Sequence, residues 1–199
     1  MSVRSNQHIW KLCMIGALSA AAFVLMLLEF PLPILPAFLK VDFSETPALL
    51  AAFALGPWEG AAVCLVKNLI HLCMTSTGGV GELSNFLLGC CFVLPAGYIY
   101  RYKKTRAGAL LSSVCGAVCM AGLCLPINYF LTYPIYYRIL VPKEGILGMC
   151  QSILPSVRTV FASILIFNLP LTLFKGLVDV AVVFLIYKKI SPILKGNRS

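Results

Sequence analysis

Long apolar stretches separated by short polar interruptions run through the whole chain. Residues 12–28, 83–100, 107–137 and 159–187 carry almost no charge, and each is long enough to cross the hydrocarbon core of a membrane as a helix. A helix is expected because a backbone in lipid has to satisfy its own hydrogen bonds. A further apolar stretch, 47–74, is broken by Gly56-Pro-Trp-Glu-Gly60 and reads either as one interrupted helix or as two. Ahead of it, FLKVDFSETP (38–47) sets Lys40, Asp42 and Glu45 between apolar segments and is entered through the Pro-rich run 31–36. This interruption predicts an ordered loop capping a helical bundle, and a place for a ligand.

Loop charge decides how 47–74 is read. Arg4 and Lys11 place the amino terminus in the cytoplasm, and the cluster Arg101, Lys103, Lys104 and Arg106 belongs on the same side. An even number of spans must lie between them, which requires two helices in 47–74. The expected fold is therefore an all-α integral membrane protein with six transmembrane helices, amino and carboxyl termini cytoplasmic and an ordered outer loop between helices 1 and 2. It forms a single domain over 1–199. Lys188, Lys189, Lys195 and Arg198 then fall inside, whereas Lys40, Arg138, Lys143 and Arg158 fall outside. The second helix, 47–56, would rise only about 15 Å, so it has to be short, tilted or begin within the preceding loop. The first apolar run, with basic residues before it and Ala20-Ala-Ala22 within it, also has the pattern of a signal peptide; a first span that stays in place explains it as well.

Composition agrees with a membrane protein, at 60% hydrophobic and 12% charged residues. The net charge of +9 would suggest nucleic acid in a soluble protein, but the basic residues sit at span ends, where they anchor helices in the bilayer, and no nucleic-acid partner is expected. Nine cysteines contain no CxxC and no zinc spacing, so they read as small packing residues and no metal or cofactor is expected. There is no nucleophile elbow, Walker loop or close carboxylate pair, hence no catalytic residue and no enzyme. Gly78-Gly-Val-Gly81 reads as a tight outer turn.

Ionisable and amide groups within spans are costly and normally face the bundle interior or a watery cavity. Here they are Lys67, Asn68 and His71, then Glu82 and Asn85, then Asn128, then Asn168, Lys175 and Asp179. Asn128 lies roughly 14 Å from the outer end of its span and Lys175 roughly 20 Å from the inner end of its own. With Glu82, Asn85, Lys40 and Asp42 they converge on one cavity that opens outward. Structural alternatives accompany these readings: a Lys67–Glu82 ion pair, His71 as a packing residue, and Asp179 neutralising Lys175 at i+4.

The runs ALSAAAFVLMLLEFPLP, FLKVDFSETPALLAAFALGP, VKNLIH, GVGELSNFLLG, INYFLTYPIYY and FNLPLTLFKG, in this order, resemble the riboflavin-specific S component of energy-coupling factor (ECF) transporters. The resemblance implies six helices, a riboflavin site at the outer face of the bacterial plasma membrane, and a complex with a transmembrane coupling subunit and two ABC ATPases that drive uptake. It implies substrate contacts in the loop from Lys40 to Ser44, including Asp42 and Phe43, and at Asn85, Asn128 and Lys175. Ala17 and Ala21 match the small-xxx-small face that meets the coupling subunit, with internal packing as the alternative. The segment 138–158 is longer than the family pattern suggests.

The chemistry of riboflavin suits such residues. Its flat ring fits apolar walls, its edge alternates carbonyls with N–H, and its ribityl tail carries hydroxyls; Asn and Lys serve the edge, and Lys40 and Asp42 the tail. Phe38, Phe43, Tyr129 and Phe130 are available for stacking. Flavin mononucleotide stays open as a ligand. The alternatives are a self-sufficient facilitator or proton-coupled carrier using Lys67, Glu82 and Asp179, an S component for another vitamin, and an intramembrane enzyme for which no nucleophile is found.

Overall fold

The computed structural model describes residues 2–36 and 38–195, with side chains from 7 to 186. Arg198 and the side chains of Arg4, Lys188, Lys189 and Lys195, used in the charge argument, lie outside the described residues. Nine helices are described: α1 (Ser2–Leu27), α2 (Glu45–Ala54), α3 (Pro57–His71), α4 (Val80–Tyr102), α5 (Arg106–Ile127), α6 (Tyr133–Ile139), α7 (Lys143–Gln151), α8 (Val160–Ser163) and α9 (Leu169–Lys195). The strand pair β1 (Phe30–Pro31) and β2 (Lys40–Val41) is antiparallel and closes the α1–α2 connection into a short hairpin. Among the described residues, four stretches are long and apolar enough to cross a membrane: Gln7–Leu27, Val80–Tyr102, Arg106–Ile139 and Val160–Ile186.

The 47–74 stretch divides into two helices. Gly56, at φ 144, takes a backbone conformation open to glycine, and Pro57 starts α3 where its missing N–H costs nothing. The ten-residue α2 is buried from Glu45 to Phe53 and packs on α1, α3, α4 and α9. It is a central element enclosed by protein, which explains how so short a helix is accommodated. Its Leu49 and Phe53 join Phe92, Tyr100 and Met120 of the surrounding helices in the main core. Close approach is secured by small residues: a Cβ on Gly60 would lie 2.7 Å from Ala52 Cβ, and one on Gly97 would lie 2.9 Å from Pro57 Cα.

Two helices are widened near their prolines. Asn128–Thr132 and Ile164–Asn168 are π-helical turns in which the Tyr133 N–H reaches Asn128 O and the Leu169 N–H reaches Ile164 O. Pro134 and Pro170 each stand two residues beyond such a turn, where the proline ring would clash with the carbonyl four residues back and supplies no N–H. Both turns place an asparagine in the bundle interior. The long segment 138–158 folds back as α7 and packs Ile146, Cys150 and Val157 into two smaller clusters with Tyr133, Ile164 and Phe167.

The cysteines divide by environment. Cys64, Cys124 and Cys150 are buried packing residues, but Cys13, Cys73 and Cys119 are exposed at the surface of the chain, so the expectation of packing residues does not hold for all nine.

Candidate functional site

A cavity lies between the α1–α2 connection and the bundle, and Lys40, Asp42, Asn85, Asn128 and Lys175 all line it. Phe43 lies off the cavity lining and packs against Phe30, with ring centroids 6.3 Å apart. Tyr129 and Phe130 point away at 43% and 75% exposure, so the aromatic wall consists instead of Phe38, Tyr133 and Tyr136. Phe38 meets the two tyrosine rings at 6.3 and 6.0 Å.

The charged residues form one network at the amino end of α2. Asp42 Oδ2 accepts from Lys175 Nζ at 2.8 Å, while Oδ1 accepts from the Ser44 backbone N–H at 2.8 Å and from the Ser44 hydroxyl. Glu45 Oε1 lies 2.9 Å from Lys67 Nζ and 3.5 Å from Lys175 Nζ. Lys67 also donates to Ser44 Oγ, and Thr46 Oγ1 donates to Asp179 Oδ1. Burial alone would raise the Asp42 carboxyl, but the ammonium groups of Lys175 and Lys67 and the hydrogen bonds from Lys175 and Ser44 outweigh it. They hold Asp42 well below the usual carboxylate range.

Several pairings differ from those read in the sequence. Lys67 pairs with Glu45, not Glu82, because α2 lies beside α3 and brings Glu45 to it; Glu82 pairs with His71 at 2.9 Å. Lys175 turns to Asp42 and Glu45, while Asp179 takes the Thr46 hydroxyl. Lys40 is held by Glu29 across the β hairpin. The proposed relay of Lys67, Glu82 and Asp179 is thus divided among separate partners.

The polar wall from α5 and α9 is richer than the sequence reading made it. Asn128 donates to Cys124 O at 2.9 Å and accepts from Ser84 at 3.4 Å. Asn168 accepts from the Tyr133 hydroxyl at 2.9 Å and also lines the cavity, as do Thr132 and Thr172. Asn168 and Tyr133 had a visible signal, an N-x-P and a Y-P beside each widened turn, but their shared direction appears only once the turns are built. Asn68 holds Cys64 O at 2.7 Å and reaches Asn85 Oδ1 at 3.5 Å. Ala17 and Ala21 are exposed on α1, whereas Ser19, Ala22 and Met26 on its other face are buried.

Membrane-length helices around a cavity that joins an aromatic wall, amides and paired charges define a membrane-embedded protein that binds a small molecule. The family model of the ECF transporter substrate-specific component matches residues 11–187. The chain is similar to the riboflavin transporter RibU of Staphylococcus aureus (strain TCH60), 34% identical, covering 93% of this chain and 92% of that one. It is similar also to the riboflavin transporter FmnP of Bacillus subtilis (strain 168), 36% identical, covering 95% and 96%. Among solved structures, the S component of a bacterial ECF transporter superposes with a TM-score of 0.74 at 33% identity, covering 95% of this chain and 99% of that one. The chain belongs to the substrate-specific components of ECF transporters.

Proposed function

We propose that this chain binds riboflavin and delivers it for ATP-driven uptake as the S component of an ECF transporter in the bacterial plasma membrane, with no catalysis of its own. The observation that carries the reading is the convergence of Asn128, Asn168 and Lys175 with Phe38, Tyr133 and Tyr136 on one cavity. Amides and an ammonium match the alternating edge of the isoalloxazine ring, and aromatic side chains match its faces. The riboflavin transporters to which the chain is similar point the same way.

The reading includes six crossings with both termini cytoplasmic. The break at Gly56 supports it, since α2 and α3 supply the two crossings beyond the four long ones. In this orientation the α1–α2 connection faces outward over the cavity. A coupling subunit and two ABC ATPases complete the transporter, since the described residues carry no nucleotide-binding loop of their own.

The cavity measures about 180 Å³, below the ~300 Å³ of pockets that hold drug-sized ligands. The Lys175–Asp42 pair ties the α1–α2 connection to α9 beside this cavity. Titration of the purified protein, followed by quenching of flavin fluorescence, tests the reading. Saturable binding of riboflavin at one site per chain is expected; no binding, or preference for another vitamin, overturns it. Steady uptake into proteoliposomes holding this chain alone would instead favour a self-sufficient carrier.

A further inference from the structure

The wall contributed by α3, α4 and their connection is built differently from the wall of amides and Lys175. Glu82, in the first turn of α4, is saturated with hydrogen bonds. Its Oε1 accepts from His71 Nδ1 at 2.9 Å, and its Oε2 accepts from Thr75 Oγ1 at 2.9 Å and Thr77 Oγ1 at 3.1 Å. The two hydroxyls are fixed in turn. Thr75 Oγ1 accepts from the backbone N–H groups of Thr77 and Gly79, and Thr77 Oγ1 from that of Gly81, each at 3.1 Å. Gly78 and Gly79, at φ 58 and 87, give the connection the backbone that these bonds require. Lys67 on the neighbouring helix is already taken by Glu45 and Ser44.

This arrangement determines what the imidazole offers. An ionised carboxylate only accepts, so Nδ1 of His71 must carry the proton, and in the neutral ring Nε2 is left with a lone pair. Nε2 has no partner among the described residues, although His71 is only 8% exposed and lines the cavity with Glu82, Ser76 and Thr77. The imidazole thus lines the cavity with one ring nitrogen fixed by Glu82 and the other without a hydrogen-bond partner among the described residues. The surroundings indicate the ligand group. The cavity's aromatic rings come from the α1–α2 connection and α6, whereas α3, α4 and their connection give it hydroxyls from Ser76, Thr77 and Ser84 and the amide of Asn85.

We propose that His71, held in one orientation by Glu82, is a specificity-determining contact whose Nε2 accepts a hydrogen bond from the hydroxylated tail of the flavin. The proposal rests on the riboflavin reading above. A site built to hydrogen-bond a hydroxyl discriminates against an analogue that lacks it, because the buried polar group is then left unpaired.

Lumiflavin, which carries the same ring system with a methyl group in place of the ribityl tail, isolates the contact. Asparagine places an amide near the Nδ1 position, so His71→Asn keeps a donor for Glu82 and removes Nε2. His71→Gln keeps an acceptor near the Nε2 position. The readout is the ratio of lumiflavin to riboflavin dissociation constants of purified protein, which is insensitive to a fraction of unfolded material. The ratio is expected to fall by about 5- to 10-fold in His71→Asn and to stay within about 2-fold of the parent in His71→Gln. An unchanged ratio in His71→Asn overturns the proposal: equal losses for both ligands would reduce His71 to a structural tie, and unchanged affinity for both would remove the contact. Failure of the parent protein to bind either flavin would show that the riboflavin reading, not this contact alone, is wrong.

Discussion

Lys175 on α9 and Asp42 in the α1–α2 connection, 133 positions apart in the chain, meet at 2.8 Å. The pair fastens the polar connection to the bundle directly over the cavity. Its side chains are 13% and 5% exposed, and Glu45 stands 3.5 Å from the same ammonium, so the charges are compensated inside the protein. Such a pair adds less to stability than its Coulomb energy suggests, but losing one partner strands the other.

Single and double substitutions should therefore be strongly non-additive. Lys175→Met and Asp42→Asn are each expected to lower stability in detergent by about 2 to 4 kcal/mol, since each leaves a buried charge short of a partner. The double variant should cost at least about 1 kcal/mol less than the sum. Thermal unfolding of the four proteins measures this. Additive losses would mean that the two groups act independently.

The same pair sets a pH dependence with a definite sign. The folded Asp42 carboxyl is held below its usual range, so its contribution is fully present above the unfolded value near ~3.9 and is lost as pH falls through the lower folded value. The stability difference between the parent and Asp42→Asn should thus shrink as pH falls below about pH 4. Unfolding midpoints of both proteins across this range test it. A difference that grew on acidification would contradict the pairing.

Much of this was legible in the sequence. The four long spans were visible as apolar runs because lipid imposes length and composition directly. The division at Gly56 followed from loop charge, which required an even number of spans before the basic cluster at 101–106, and the cavity residues Asn128 and Lys175 from the cost of polar groups in hydrocarbon. Partner choice was not legible. Lys67 was offered Glu82, and Lys175 was offered Asp179, because sequence spacing favours neighbours, whereas α2 inserts Glu45 between them from across the bundle. Asn168 is legible as a polar group inside a span but not as a cavity partner of Tyr133, because a π turn rotates the side chains around it, and Tyr129 and Phe130 turn outward at the same kind of turn.

The widened turn at Asn128 gives a further prediction. Asn128→Ala removes a side chain that is 3% exposed and already held by Cys124 O, so the amide is presented in a fixed orientation. Riboflavin affinity should fall by about 1 to 3 kcal/mol, with Asn168→Ala causing a loss of the same order. Flavin titration of each variant measures this. Unchanged affinity in both would move the ring edge away from α5 and α9.

The contact between α2 and α3 depends on the missing side chain at Gly60, where a Cβ would lie 2.9 Å from the backbone oxygen of Ala48 as well as 2.7 Å from Ala52 Cβ. A backbone atom of a buried helix cannot swing aside, so Gly60→Ala should destabilise the protein by about 1 to 3 kcal/mol. Gly16→Ala is the control: its added Cβ would meet nothing within 4 Å, and its melting point should not fall.

The exposed face of α1 should separate binding from transport. Ala17 and Ala21 lie one helical turn apart and are exposed, Gly16 and Ala20 are exposed beside them, and the buried residues Ser19, Ala22 and Met26 take the other side. Their side chains therefore do not serve internal packing, and small residues on a lipid-facing stripe permit close approach of a second helix. In the proposed complex that helix belongs to the coupling subunit. Ala17→Leu together with Ala21→Leu should leave riboflavin affinity of the isolated chain within about 2-fold of the parent, because neither side chain reaches the cavity. The same variant, reconstituted with a coupling subunit and its ATPases, should lose most of its ATP-dependent riboflavin uptake and co-purify poorly with them. Undiminished uptake would place the contact with the coupling subunit on another face of the bundle.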